Sequence, residues 1–98
     1  MSAEHYVLLT ADSNNQIHVH TCGNVDRYVT RLGETFVYQM SCPDSRFADS
    51  VKTAFLDKYR KHGERRTSTT FTVSNQKSAM YKLDDIYSEI GFKQFFNL

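Results

Sequence analysis

Two stretches rich in strand formers, Tyr6-Val7-Leu8-Leu9 and Ile17-His18-Val19-His20-Thr21-Cys22, flank the turn-forming run Asp12-Ser13-Asn14-Asn15. Short polar side chains of this kind hydrogen-bond their own backbone and tolerate left-handed geometry, so the pattern predicts a β-hairpin. No other feature constrains the fold as much, because the hairpin decides which side chains share a face. Successive residues of a strand point to opposite sides, which places His18, His20 and Cys22 together and Ile17, Val19 and Thr21 on the reverse. A turn centred on Ser13-Asn14 predicts Leu9 opposite His18, Val7 opposite His20 and His5 opposite Cys22. Tyr6, Leu8 and Thr10 then share the face of Ile17, Val19 and Thr21.

The hairpin feeds alternating elements. Asn24 is placed to cap a short helix whose apolar residues Val25, Tyr28, Val29 and Leu32 follow helical spacing, and Gly33 supplies its stop. Thr35 to Met40 sets Phe36, Tyr38 and Met40 against Val37 and Gln39, predicting a well-buried third strand. Pro43 suits a helix start, Phe47, Val51, Phe55 and Tyr59 form the stripe of that helix, and Gly63 ends it. Thr67 to Val73 is threonine-rich and reads as a fourth strand at the sheet edge. Ser74 or Asn75 then caps a last helix carrying Met80, Leu83, Tyr87 and Ile90, with Gly91 after it and an aromatic tail to Leu98. The expected fold is α+β: an antiparallel sheet of three to four strands flanked by helices, in the order β-β-α-β-α-β-α, as one domain over residues 1–98.

Composition narrows the function. The chain has 98 residues, 40% of them apolar and 13% aromatic, which is enough for one core without disulfides or a structural metal. Twelve Lys and Arg against 11 Asp and Glu announce no bulk polyanion or membrane partner, so such a partner would be met locally. No run approaches the roughly 18 apolar residues of a membrane span, and Met1 to His5 do not open a secretory leader. The expectation is an intracellular protein of the cytoplasm or a host nucleus, with Cys22 and Cys42 as free thiols.

The order of elements resembles the GIY-YIG nuclease domain, with a tyrosine-bearing hairpin, an arginine-bearing helix, a third strand and a glutamate-bearing helix. Glu4-His5-Tyr6 stands in the place of the first motif, Ile17-His18-Val19 with Thr21 in that of the second, and Arg27 matches the arginine. Phe36-Val37-Tyr38 and Thr70-Phe71-Thr72-Val73 are similar to segments of the versions carried by large DNA viruses and phages. Both signature glycines are absent, and Phe47-Ala48-Asp49-Ser50-Val51 offers Asp49 where the family has its metal-binding glutamate. The resemblance implies Tyr6, Arg27 and Asp49 as catalytic positions and a divalent ion such as Mg²⁺, with Arg31 as a further phosphate contact. A degenerate domain that binds DNA or RNA is the reading this gives.

Two further sets stand out. Lys58-Tyr59-Arg60-Lys61-His62-Gly63-Glu64-Arg65-Arg66 carries five cations against one carboxylate, a pattern that contacts phosphates, with Tyr59 able to stack on a base. His18, His20 and Cys22 offer nitrogen and sulfur ligands on one face, with His5 as a fourth, although zinc is disfavoured by the lack of any Cys-x-x-Cys knuckle. A second class of function is a protein-interaction module, through self-association or capture of a host protein, for which the Phe95-Phe96 tail is the contact.

Overall fold

A computed structural model describes residues 5–60 and 69–96, with side chains as far as Phe92 in the last helix. The elements are β1 (His5–Ala11), β2 (Ile17–Cys22), α1 (Val25–Leu32), β3 (Thr35–Cys42), α2 (Ser45–Tyr59) and α3 (Gln76–Phe96). The fold is α+β, a three-stranded antiparallel sheet in the order β2-β1-β3 with helices against it. β1 is the central strand, and its residues Val7 to Ala11 are all buried.

The hairpin forms, but its register is shifted by one residue from the expected one. Leu8 pairs with His20, Thr10 with His18 and Tyr6 with Cys22. The turn explains the shift: Asn15 adopts the left-handed conformation at φ 60°, and Asp12 closes the loop by bonding its own N–H to the Gln16 carbonyl at 3.0 Å. Asp12 Oδ1 also accepts from the N–H of Asn14 and of Gln16. A loop of this length makes the paired numbers sum to an even value, which moves every side chain of β2 to the other face relative to β1. Val7, Leu9 and Ala11 therefore lie with Ile17 and Val19 in the apolar core, which α2 and α3 complete with Phe47, Val51, Phe55, Ala79, Leu83 and Ile86. Tyr6, Leu8 and Thr10 share the opposite face with His18, His20 and Cys22, beneath α1.

Local signals set the helix ends. The Asn24 side chain accepts from the Arg27 N–H at 3.0 Å, and Gly33, at φ 69°, closes α1 by donating to the Val29 carbonyl. For α2 the cap is Asp44, accepting from Phe47 N–H at 2.8 Å, so Pro43 sits just outside the helix instead of in its first turn. That helix ends at Tyr59, with Arg60 as its C-terminal cap; the expected stop, Gly63, lies outside the described residues. Asn75 caps α3 by accepting from Ser78 N–H, and the helix runs on through Gly91 to Phe96.

Two strand expectations are corrected. β3 is an edge strand whose residues are mostly exposed or half-buried, because the sheet places it outside β1 and not between two neighbours. A bulge between Leu9 and Thr10 leaves Val37 without a partner, pairing Leu9 with Tyr38 but Thr10 with Phe36. Tyr38 and Met40 thus pack on the core while Phe36 turns to the α1 face and stays 47% exposed. The expected fourth strand is reduced, among the described residues, to two isolated bridges, His18 with Thr70 and Arg60 with Phe71. Thr69 bonds the edge of β2, through Val19 N–H at 3.1 Å, but three residues on Thr72 donates to the Tyr59 carbonyl at the end of α2. From Thr70 on the segment therefore leaves β2 and drops Phe71, 1% exposed, into the core.

Candidate functional site

β2 holds its two histidines side by side on the α1 face, ring centroids 5.9 Å apart and 14° from parallel. His20 is buried, 7% exposed, with the Tyr28 ring of α1 against it at 5.5 Å. Each imidazole meets a carboxylate. His18 Nε2 lies 2.7 Å from Asp12 Oδ2 and His20 Nε2 lies 3.3 Å from Glu34 Oε1. A carboxylate only accepts, so His18 donates from Nε2 and its Nδ1, 2.8 Å from Thr69 Oγ1, takes the hydroxyl proton of that threonine. The Thr10 hydroxyl, wholly buried, donates to Glu34 Oε1 as well.

The electrostatics follow from burial and these partners. Loss of hydration pushes the His20 imidazole below its usual range, with Glu34 pulling the other way. The Asp12 carboxyl is held below the usual carboxylate range, first by its hydrogen bond with His18 and then by the Gln16 N–H. Burial raises the Cys22 thiol, which leaves it mostly protonated near neutral pH.

Candidate ligand atoms of His18, His20 and Glu34 all lie within 4.8 Å of one another. Glu34 thus takes the place expected for Cys22 in the cluster. His5, considered above as a fourth ligand, belongs to the odd-numbered face of β1 and points away from Cys22, for the reason of register already given. No motif local in sequence marks Glu34, because it occupies the short connection between α1 and β3, with partners in β1 and β2. The signal that could have found it is its place directly after the Gly33 stop, which delivers a carboxylate to the end of the sheet.

The residues implied by the nuclease resemblance are distributed as follows. Tyr6 faces a cleft lined by Gly23, Asn24, Val25, Asp26 and Gln39 on the α1 side. Arg27 and Arg31 are exposed on the outer side of α1, opposite the stripe of Val25, Tyr28, Val29 and Leu32. Asp49 is exposed on α2, across the sheet from Tyr6, within reach of Thr21 Oγ1 at 3.5 Å. The three expected catalytic positions are therefore not brought to one hollow.

The end of α2 is a different surface. Lys58 Nζ stands 5.6 Å from the centroid of the Tyr59 ring, and Lys82 Nζ, from α3, stands 4.7 Å from it. Lys82 also donates to the Thr72 carbonyl at 3.1 Å. Behind, the Tyr59 ring rests on Phe55 at 5.2 Å. Arg60 follows at the helix cap, while Lys61, Arg65 and Arg66, and the side chains of Phe95 and Phe96, lie outside the described residues. Among the described residues no helix is long and apolar enough to cross a membrane. No family model matches the chain, and no significant match is found to a curated protein or a solved structure.

Proposed function

We propose that this chain is a nucleic-acid-binding domain of GIY-YIG-like type that contacts its ligand through the basic and aromatic surface at the end of α2. The observation that carries the reading is the convergence of two ammonium groups, Lys58 and Lys82, on the ring of Tyr59. They come from two different helices, and the sequence continues from that point with Arg60, Lys61, Arg65 and Arg66. A half-buried aromatic ring with cations over it suits a single-stranded or frayed nucleic acid, whose phosphates meet the cations and whose base reaches the ring as an ammonium moves from it to a phosphate. The resemblance read from the sequence, with a Tyr6 hairpin, the Arg27 helix and the Asp49 helix in that order, is what suggests such a ligand.

The reading is one of binding and not of cleavage. A hydrolytic site of that family's kind needs the tyrosine, the arginine and the metal carboxylate on one phosphate, and Tyr6 and Asp49 occupy opposite faces of the sheet. Asp49 is also the lone carboxylate in its helical motif, and among the described residues it belongs to no cluster of three candidate metal ligands.

Fluorescence anisotropy with a labelled oligonucleotide, single-stranded and duplex, tests the reading across a salt series. Binding is expected to weaken steeply as salt rises, because neutralised phosphates release counterions. Lys58→Glu and Lys82→Glu should each weaken it and reduce the salt slope by about one. Absence of binding at low salt, or binding untouched by both charge reversals, would overturn it.

A further inference from the structure

We propose that His18, His20 and Glu34 form a binding site for a first-row divalent cation of the zinc type, oriented by Asp12 and Thr10. The site lies on the α1 face of the sheet and is independent of the nucleic-acid surface at the end of α2.

The donor set is the first reason. Two imidazoles and one carboxylate are the ligands such ions take in three-residue centres, and here they come from β2 and from the α1–β3 connection. Spacing is the second. Two donors on a tetrahedral ion, with bonds of about 2.0–2.1 Å, stand about 3.4 Å apart. His20 Nε2 and Glu34 Oε1 are 3.3 Å apart, long for an N–H···O hydrogen bond but right for two atoms that share an ion. His18 completes the group within 4.8 Å, so its ring has to swing inward by roughly 1–1.5 Å to reach ligand spacing. The planes of the two rings are already nearly parallel, 14° apart.

Outer contacts are the third reason. Metal-bound histidines are held by a carboxylate on their other nitrogen, which fixes tautomer and orientation. Asp12 stands 2.7 Å from Nε2 of His18 and Thr69 Oγ1 stands 2.8 Å from its Nδ1, so on loading the ring keeps one of these partners and exchanges the other for the ion. Asp12 is itself fixed by two backbone N–H groups of the hairpin turn. Thr10 holds Glu34 by donating to Oε1, the same oxygen that faces His20, which keeps a further lone pair for an ion. On loading, His20 carries its proton on Nδ1, freeing Nε2 for the ion with no net change in its charge.

Titration of the whole chain with Co²⁺ and with Zn²⁺, read by equilibrium dialysis and visible absorption, tests the site. The expected result is one ion per chain and cobalt bands of nitrogen and oxygen ligation, without a thiolate charge-transfer band. Glu34→Gln and His18→Asn should each weaken binding by more than about 100-fold and Asp12→Asn by about 10–100-fold, whereas Cys22→Ala leaves it unchanged. A variant that fails to fold is recognised by circular dichroism, and the wild-type chain then decides alone. Co²⁺ should shift and broaden the ring resonances of His18 and His20 ahead of those of His5 and His62. Dialysed wild-type protein that retains no ion, a thiolate band lost in Cys22→Ala, or resonances of all four histidines affected alike would each overturn the proposal.

Discussion

On one face of the sheet Val7, Leu9 and Val19 meet Val51, Phe55 and Leu83, all at 0% exposure, and the Phe55 and Phe71 rings cross edge to face at 4.5 Å. On the other, α1 contributes no fully buried residue, and beside Leu8, Tyr6, Phe36 and Cys22 the strands present Thr10, His18 and His20 to it. The first face is held by removal of apolar surface from water, which is non-directional and additive over many contacts. The second is held by a chain of hydrogen bonds, Asp12 to His18 and Glu34 to His20 and Thr10, which are directional and fail one partner at a time. A domain of this size can therefore keep its fold on α2 and α3 alone and leave the α1 side free to carry chemistry.

The most damaging test of that contrast is truncation at the centre of the apolar face. Phe55→Ala removes a ring that touches Phe71 and Tyr59 and should cost about 3–5 kcal/mol, a large share of the roughly 5–15 kcal/mol available to a small domain. Urea unfolding should show the midpoint collapsing with the whole transition. Glu34→Ala, measured with a chelator present, acts on the polar face instead. It strands the buried Thr10 hydroxyl and the His20 imidazole and should cost about 1–3 kcal/mol. Amide exchange should quicken in α1 while α2 keeps its protection, since local opening follows local stability. Equal acceleration in α1 and α2 would show that the two faces are one cooperative unit.

Asn24→Ala is the next step down. The lost cap bond to Arg27 N–H should cost about 1 kcal/mol, again read by exchange in α1. Because α1 has little apolar burial of its own, a cap there matters more to whether the helix stays formed than the cap at Asp44 matters to α2.

The difference between the faces also explains what could be read from the chain. Asn24, Gly33 and Asn75 announce their helix ends because capping is a contact between neighbours in sequence. The hairpin was legible for the same reason, but not its register: one residue in the left-handed region, Asn15, changes the loop and exchanges the faces of β2. Strand order was equally hidden, since nothing local to Thr35–Cys42 says that it lies outside β1, and the bulge at Val37 that reverses Phe36 is set by pairing. The polar cluster was half visible. His18 and His20 alternate within one strand, whereas Asp12, Glu34 and Thr69 reach them only through the turn, the strand order and the bridge at Thr70. Lys82 joined Tyr59 by the docking of α3 on α2, which no spacing reports.

Alkaline pH gives the gentlest way to separate the faces, because the groups it disturbs sit against the apolar one. Burial pushes the Cys42 thiol up to about 11 from 9.0, and burial also raises the hydroxyls of Tyr87 and Tyr38. Between those two values the folded chain keeps a thiol proton that the unfolded chain has lost. Stability contributed by the neutral thiol is therefore complete below about pH 9 and declines as pH rises toward 11. Up to pH 9.5 the loss should stay below about 1 kcal/mol. Cys42→Ala lowers stability at every pH through the space it leaves, but it should flatten the slope of unfolding free energy against pH between 8.5 and 9.5 by roughly this amount. Cys22→Ala, on the α1 side and half-exposed, should flatten it less. An equal effect of the two substitutions would place the alkaline sensitivity on both faces and remove the distinction drawn between them.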